Sequence, residues 1–129
     1  MTTPLFSLDG CVAVVTGAGR GMGRGVAETL ARQGATVAVN DFYAERAESV
    51  AAELRAQGYK ALAAPADVTD YEAVKAMISN IRKQAGIVDI YVSNAGVPTS
   101  GMGYTKFLES TLADWERFVK LNMYGLMNG

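Results

Sequence analysis

The stretch Thr16-Gly17-Ala18-Gly19-Arg20-Gly21-Met22-Gly23 has the residue types and spacing to do chemistry. Its pattern is T-G-x-x-x-G-x-G. It follows the apolar run Cys11 to Val15 and leads into an amphipathic segment. A strand, a glycine-rich turn and a helix start, in that order, make a cradle for a dinucleotide pyrophosphate. Without a Cβ, the turn lets backbone N–H groups and the helix N-terminus approach a phosphate closely. The commoner G-x-G-x-x-G fingerprint fails, because Met22 stands where its third glycine would fall. A phosphate-binding loop fails too, since no Gly-Lys-Ser/Thr follows.

Asp41 is the second candidate. It ends the next apolar run about 24 residues after Gly17, near the ~20-residue offset of an acidic residue that reads the adenosine ribose. A carboxylate there accepts hydrogen bonds from both ribose hydroxyls and repels a 2′-phosphate, so NAD is expected over NADP. Phe42 occupies the position where a basic residue would favour the phosphate. Arg20 pulls mildly the other way, because a guanidinium in this loop reaches a 2′-phosphate. Asp41 carries the greater weight. Its competing role is to start the next helix as an N-cap.

Other chemistries are excluded by composition. The chain has no histidine, which removes the triads built on imidazole and zinc sites that need it. Its one cysteine, Cys11, heads an apolar run and reads as a small buried hydrophobe. No acidic residues cluster at metal-ligand spacing, so no metal is expected.

The elements that must position these residues alternate strand and helix. Strands are expected at Cys11–Val15, Ala35–Val39, Lys60–Ala64 and Ile87–Val92. Met22, Val26, Ala27, Leu30 and Ala31 give the first helix an apolar face, and Gly34 ends it. Ala47, Val50, Ala51 and Leu54 do the same for the second, ended by Gly58. Thr69 and Glu72 have capping-box spacing and start the third, with Val74, Met77, Ile78 and Ile81 on its face and Gly86 at its end. Residues 97–104 read as a loop. Thr111 and Asp114 open a last helix carrying Trp115, Phe118, Val119, Asn122 and Leu126. Strands separated by helices imply a parallel sheet with right-handed crossovers. The expected class is α/β, the first half of a Rossmann-like doubly wound sheet with about four strands.

The 129 residues suit one domain, 1–129, of ordinary globular composition with half the residues apolar. A net charge of −1 gives no reason to expect nucleic acid as a partner. Apolar runs are too short for a membrane span. Met1 to Asp9 lacks the pattern of a secretory signal, so the default expectation is cytoplasmic.

Four elements together resemble the N-terminal half of the short-chain dehydrogenase/reductases. They are the glycine run, Asp67-Val68 after the third strand, Ser93-Asn94-Ala95-Gly96 after the fourth, and Asn122 within Val119-Lys120-Leu121-Asn122. Ser93 departs conservatively from the family's Asn-Asn-Ala-Gly. The resemblance implies an NAD(P)-dependent oxidoreductase acting on a small alcohol or carbonyl substrate. It turns Gly17, Gly21 and Gly23 toward the pyrophosphate, with Gly19, Arg20 and Met22 of the same run expected among the cofactor-binding residues. Asp67 would hydrogen-bond the adenine amine, with the Val68 backbone beside it, or serve only as a turn residue. Asn94, Ala95 and Gly96 would shape the sheet edge near the adenosine ribose.

The same resemblance makes Asn122 one member of a catalytic tetrad, holding a water that relays protons to the active-site lysine. An asparagine inside an apolar helical run is costly without a partner, which also favours a network role. The family's serine and Tyr-x-x-x-Lys would follow Asn122, beyond Gly129. The chain is therefore expected to be a cofactor-binding half, inactive by itself, of a protein that is a homodimer or homotetramer at full length. Tyr71 and Lys75 fit Tyr-x-x-x-Lys literally, but they sit just after the adenine segment and read as surface residues. Alternative readings are a non-catalytic dinucleotide-binding module, or half of a split protein completed by another chain.

Overall fold

The computed structural model describes residues 6–96 and 107–129. The loop expected at 97–104 lies outside them. Four parallel strands form one sheet: β1 (Val12–Val15), β2 (Thr36–Val39), β3 (Ala61–Ala63) and β4 (Ile90–Val92), in the order β3-β2-β1-β4. Val14 pairs with Ala38 on one side and with Tyr91 on the other. Helices α1 (Gly21–Arg32), α2 (Ala44–Ala56) and α3 (Tyr71–Ala85) make the crossovers. A short 3₁₀ turn at Phe107–Glu109 and helix α4 (Leu112–Val119) follow β4. A π-helical turn (Lys120–Tyr124) and a last helical turn, α5 (Gly125–Met127), complete the chain.

β1 is buried on both faces, as a continuous apolar run in a parallel sheet requires. The period-two alternation of a strand divides its side chains between two cores. Ala13 and Val15, with Val37 and Val39 of β2, pack against Ala27 and Ala31 of α1 and Val50 and Leu54 of α2. Val12, Val14 and Ala38 face the other way, onto Val74, Met77 and Ile81 of α3. These helical residues are those that the sequence periodicity puts on apolar faces.

Boundaries differ where polar groups intervene. β4 begins at Ile90 rather than Ile87, which is 67% exposed. Asp89 ends the extended apolar stretch, because its carboxylate accepts a hydrogen bond from the Val12 amide at 2.9 Å. Helix α3 is capped by Asp70, whose Oδ1 accepts from the amides of Glu72 (3.0 Å) and Ala73 (3.2 Å). Thr69 cannot take that role, because its amide and hydroxyl both donate to Asp67. Thr111 and Asp114, expected to open the last helix, do so as a capping box.

The chain reverses its direction of winding after β3. β1, β2 and β3 step one way across the sheet, and β4 returns to the other side of β1. Ligands of open α/β sheets lie outside the carboxyl ends of the strands at such a switch point. Here that point falls between Thr16, after β1, and Ser93, after β4.

Candidate functional site

A cavity of about 590 Å³ opens at the switch point. Its floor is the turn after β1, with Gly17, Arg20, Gly21, Met22 and Gly23. One end is formed by Asn40, Asp41, Phe42, Tyr43 and Arg46, and the side by Ala66, Asp67, Val68 and Thr69. Asn94, Ala95 and Gly96 close the β4 side, while Arg117, Lys120 and Leu121 reach in from the last helix. The volume lies within the ~300–1,000 Å³ of small-molecule and cofactor sites.

The glycine turn is shaped by its neighbours. Gly21 has φ +58°, a conformation that a side chain disfavours, and nothing lies within 4 Å of where its Cβ would be. The space above it is cavity. Gly23 is the opposite case. A Cβ there would collide with Asn94 Nδ2 and lie 2.5 Å from the Gly17 carbonyl oxygen. Arg20 precedes α1 in extended conformation and gives no side-chain cap, and the first turn of α1 holds no acidic residue. The helix N-terminus thus presents its N–H groups to the cavity, where an anion would satisfy them.

Thr16 and Asn94 lock this turn to β4. The Thr16 hydroxyl donates to Val92 O (3.3 Å) and accepts from the amides of Asn94 and Ala95 (both 3.0 Å). Asn94 Nδ2 donates to Thr16 O (3.0 Å) and Gly17 O (3.3 Å). Asn94 therefore shapes the site through the loop's backbone, and Gly23 leaves room for its amide.

Asp41 is buried at the end of β2, only 6% exposed. Its Oδ2 accepts from the Gly19 amide at 3.1 Å and its Oδ1 from the Tyr43 amide at 3.0 Å. The α2 N-cap is Tyr43, without a side-chain cap bond, so Asp41 is not that cap. Each carboxylate oxygen has a second lone pair available to a ligand. Gly19 does not border the cavity. It acts from behind, where a Cβ would meet Asp41 Oδ2 at 2.5 Å and Arg46 Cβ at 2.6 Å. Phe42 is exposed, its ring edge-on to Tyr43 at 5.2 Å, and the Arg46 guanidinium lies 4.4 Å over the Tyr43 ring.

Asp67 occupies the β3 exit. Its Oδ1 accepts from the Thr69 amide (2.9 Å) and hydroxyl (2.7 Å). It is thus a turn residue and a wall of the cavity at once. Val68 is 5% exposed and packs into the core on the α3 side of the sheet.

Asn122, like Gly19, is an expected site residue that stands outside the cavity lining. It lies in the π-helical turn, is exposed, and does not border the cavity. Its Nδ2 donates to Phe118 O at 3.1 Å. The burial cost expected of an asparagine in an apolar run therefore does not arise among the described residues, since Trp115, Phe118, Val119 and Leu126 are exposed as well. A Cβ on Gly96 would stand 3.7 Å from Asn122 Oδ1, which puts this amide beside the β4 exit. Tyr71 and Lys75 lie away from the cavity. Tyr71 is 58% exposed, with the Lys75 ammonium 5.9 Å from its ring centroid.

Sequence reasoning missed Asn40, Arg46, Arg117 and Lys120. Asn40 is 1% exposed and links three segments: its Oδ1 accepts from the Gly17 amide (3.4 Å), and its Nδ2 donates to Ala64 O (2.9 Å) and Ala66 O (3.3 Å). Its signal was a polar residue directly continuing an apolar strand. The cations carry no local signal, because only the fold gathers them. Arg20, Arg46, Arg117 and Lys120 face the cavity against the carboxylates of Asp41 and Asp67, so its lining is net positive on a chain of net charge −1. Such a lining attracts an anionic ligand. The described residues contain no cluster of acidic, cysteine or histidine side chains able to hold a metal.

Comparisons with known proteins agree with this geometry. The chain is 38% identical over 121 residues to 2,3-dihydro-2,3-dihydroxybenzoate dehydrogenase of Bacillus subtilis (strain 168), covering 94% of this chain and 45% of that protein. It is 39% identical over 119 residues to 3-oxoacyl-(acyl-carrier-protein) reductase FabG of Staphylococcus aureus, covering 90% and 46%. The crystal structure of a hydroxysteroid dehydrogenase from Escherichia coli superposes with a TM-score of 0.85 at 36% identity, covering 95% of this chain and 50% of that one. The chain thus spans about half the length of the relatives it matches. The family model for short chain dehydrogenases matches residues 11–129, and with the parallel sheet and its switch-point cavity the chain belongs to the short-chain dehydrogenase family.

Proposed function

We propose that the protein is an NAD-dependent oxidoreductase that exchanges a hydride between NAD(H) and an alcohol or carbonyl carbon, with this chain as its cofactor-binding part. The observation that carries the reading is a single cavity joining the uncapped N-terminus of α1, the Asp41 carboxylate and the Asp67 carboxylate. The residues fit the dinucleotide. Gly21 leaves open space where a pyrophosphate needs close backbone approach. Asp41, fixed by the amides of Gly19 and Tyr43, presents its remaining lone pairs to the adenosine ribose hydroxyls. Asp67 keeps Oδ2 for the adenine amine, because the Thr69 amide and hydroxyl both donate to Oδ1. Ala95 and Gly96 line the wall toward the β4 exit.

When bound, the nicotinamide supplies or accepts the hydride. Among this chain's residues, Asn122 is the one proposed to serve the proton path. Its Nδ2 is engaged by Phe118 O, so Oδ1, beside Gly96, is the atom that would hold a relay water. The remaining parts of the reading rest on the family. They are a small-molecule substrate and a homodimer or homotetramer at full length; a cytoplasmic setting is the default reading of the sequence. Among the described residues, no helix is long and apolar enough to cross a membrane.

Asp41 gives the test of cofactor choice. Asp41→Ala is expected to weaken NAD binding and to narrow the NAD/NADP preference by roughly tenfold, as the repulsion of a 2′-phosphate goes with the charge. Dissociation constants for both cofactors measure it. The ratio is the readout, because loss of the Gly19 and Tyr43 hydrogen bonds weakens both cofactors together. An unchanged ratio would overturn the assignment.

A further inference from the structure

The segment Asp67–Thr69 is held from behind by the end of the chain. Asn128 Nδ2 donates to Val68 O at 3.0 Å, across 60 positions of sequence. Gly125 brings the last helix close enough for this, since a Cβ there would stand 3.1 Å from Val68 Cγ2. Asn128 does not border the cavity, so it makes no contact with a ligand there.

Its bond nevertheless reaches the cavity through one peptide group. The Val68 carbonyl and the Thr69 amide belong to the same planar trans unit, and they point in opposite directions. Asn128 therefore fixes the plane whose other end, the Thr69 N–H, donates to Asp67 Oδ1 at 2.9 Å. The Thr69 hydroxyl donates to the same oxygen at 2.7 Å. With Oδ1 engaged twice, the carboxylate's orientation is set. No donor among the described residues holds Oδ2. Hydrogen bonds in series polarise one another, so the Asn128 bond strengthens the next in line.

We infer that Asn128 is a positioning residue for adenine recognition: through the Val68–Thr69 peptide it aims Asp67 Oδ2 at the exocyclic amine. This rests on the reading of Asp67 in the proposed function. It adds that the last helix, far from Asp67 in sequence, decides how well the purine is read.

The test compares NAD with nicotinamide hypoxanthine dinucleotide, in which a carbonyl replaces the amine. Calorimetric titration of the wild-type chain is expected to favour NAD by about tenfold, the worth of one hydrogen bond to a carboxylate. Asn128→Leu, which removes the donor, is expected to bring the ratio to within about twofold of unity. Asn128→Asp keeps the shape and removes the donor, and is expected to do the same. Asn128 is only partly buried, so the fold does not hinge on it. If either variant weakens both dinucleotides equally and keeps the wild-type ratio, Asn128 is merely structural and the inference fails. A wild-type chain that binds both equally would instead contradict the adenine role of Asp67, and binding of neither would contradict the proposed function.

Discussion

Gly23→Ala is expected to reduce dinucleotide affinity by at least about 100-fold, close to 3 kcal/mol. One methyl group has this effect because there is no space for it. It would overlap Asn94 Nδ2 and press within 2.5 Å of Gly17 O. Either α1 moves away from the turn or the Asn94 amide leaves its place. The first displaces the helix N-terminus that faces the cavity. The second breaks the bonds from Asn94 Nδ2 to Thr16 O and Gly17 O. Overpacking of about 1–3 kcal/mol and two lost hydrogen bonds of about 1 kcal/mol each bracket the estimate. Gly25→Ala is the matched control, two positions along the same helix. Nothing lies within 4 Å of its Cβ position, and its φ is ordinary. It is expected to bind as wild type and to gain up to about 1 kcal/mol of stability from helix propensity. Equal behaviour of the two variants in titrations would contradict this account of the turn.

Asn40→Ala is expected to cost about 3 kcal/mol of folding stability. The side chain is 1% exposed and its amide is the donor to Ala64 O, with Ala66 O and Met77 Sδ also in reach. Removing it leaves a buried carbonyl unsatisfied and opens a void between β2, β3 and α3. The same variant frees the Gly17 amide from Asn40 Oδ1, so cofactor affinity falls as well. Urea unfolding measures the first effect, as a lower midpoint with an unchanged slope. A loss under about 1 kcal/mol would mean that water replaces the amide and that Asn40 is not the tie between the strands.

The residues that sequence made legible share a property: their meaning is local. Gly21 and Gly23 sit next to the strand and helix that give them a role. Val12 to Val15 declare a doubly buried strand by themselves. The last helix is less legible because its apolar residues at 115, 118, 119 and 126 satisfy an ordinary helical period, while the backbone widens into a π turn at Lys120–Tyr124. Asp70 is hard to pick out as the cap because Thr69, a residue earlier, has an equally good capping side chain. Only the structure reveals that Asp67 already engages it.

The candidate site follows the same rule. Asp41 is legible from its place after a strand and Asp67 from the family resemblance; the amides of Gly19 and Tyr43 fix the first carboxylate, and the amide and hydroxyl of Thr69 fix the second. Arg46, Arg117 and Lys120 are not readable, because each looks like a solvated helix residue until α2, α4 and the π-helical turn are brought around one cavity. Asn128 lies 60 residues from the carbonyl it holds, and no spacing rule connects them. Asn122 was readable only by resemblance, and its exposure among the described residues removes the argument from burial while leaving the family role to be tested.

The central claim is that this cavity holds an NAD molecule, pyrophosphate on the α1 N-terminus and adenosine between Asp41 and Asp67. Isothermal titration of NAD into the purified chain tests it most directly, with ADP-ribose as competitor. One site per chain, competition by ADP-ribose, and weaker binding of NADP than of NAD are expected. Absence of binding, or binding that Gly23→Ala leaves untouched, would contradict it.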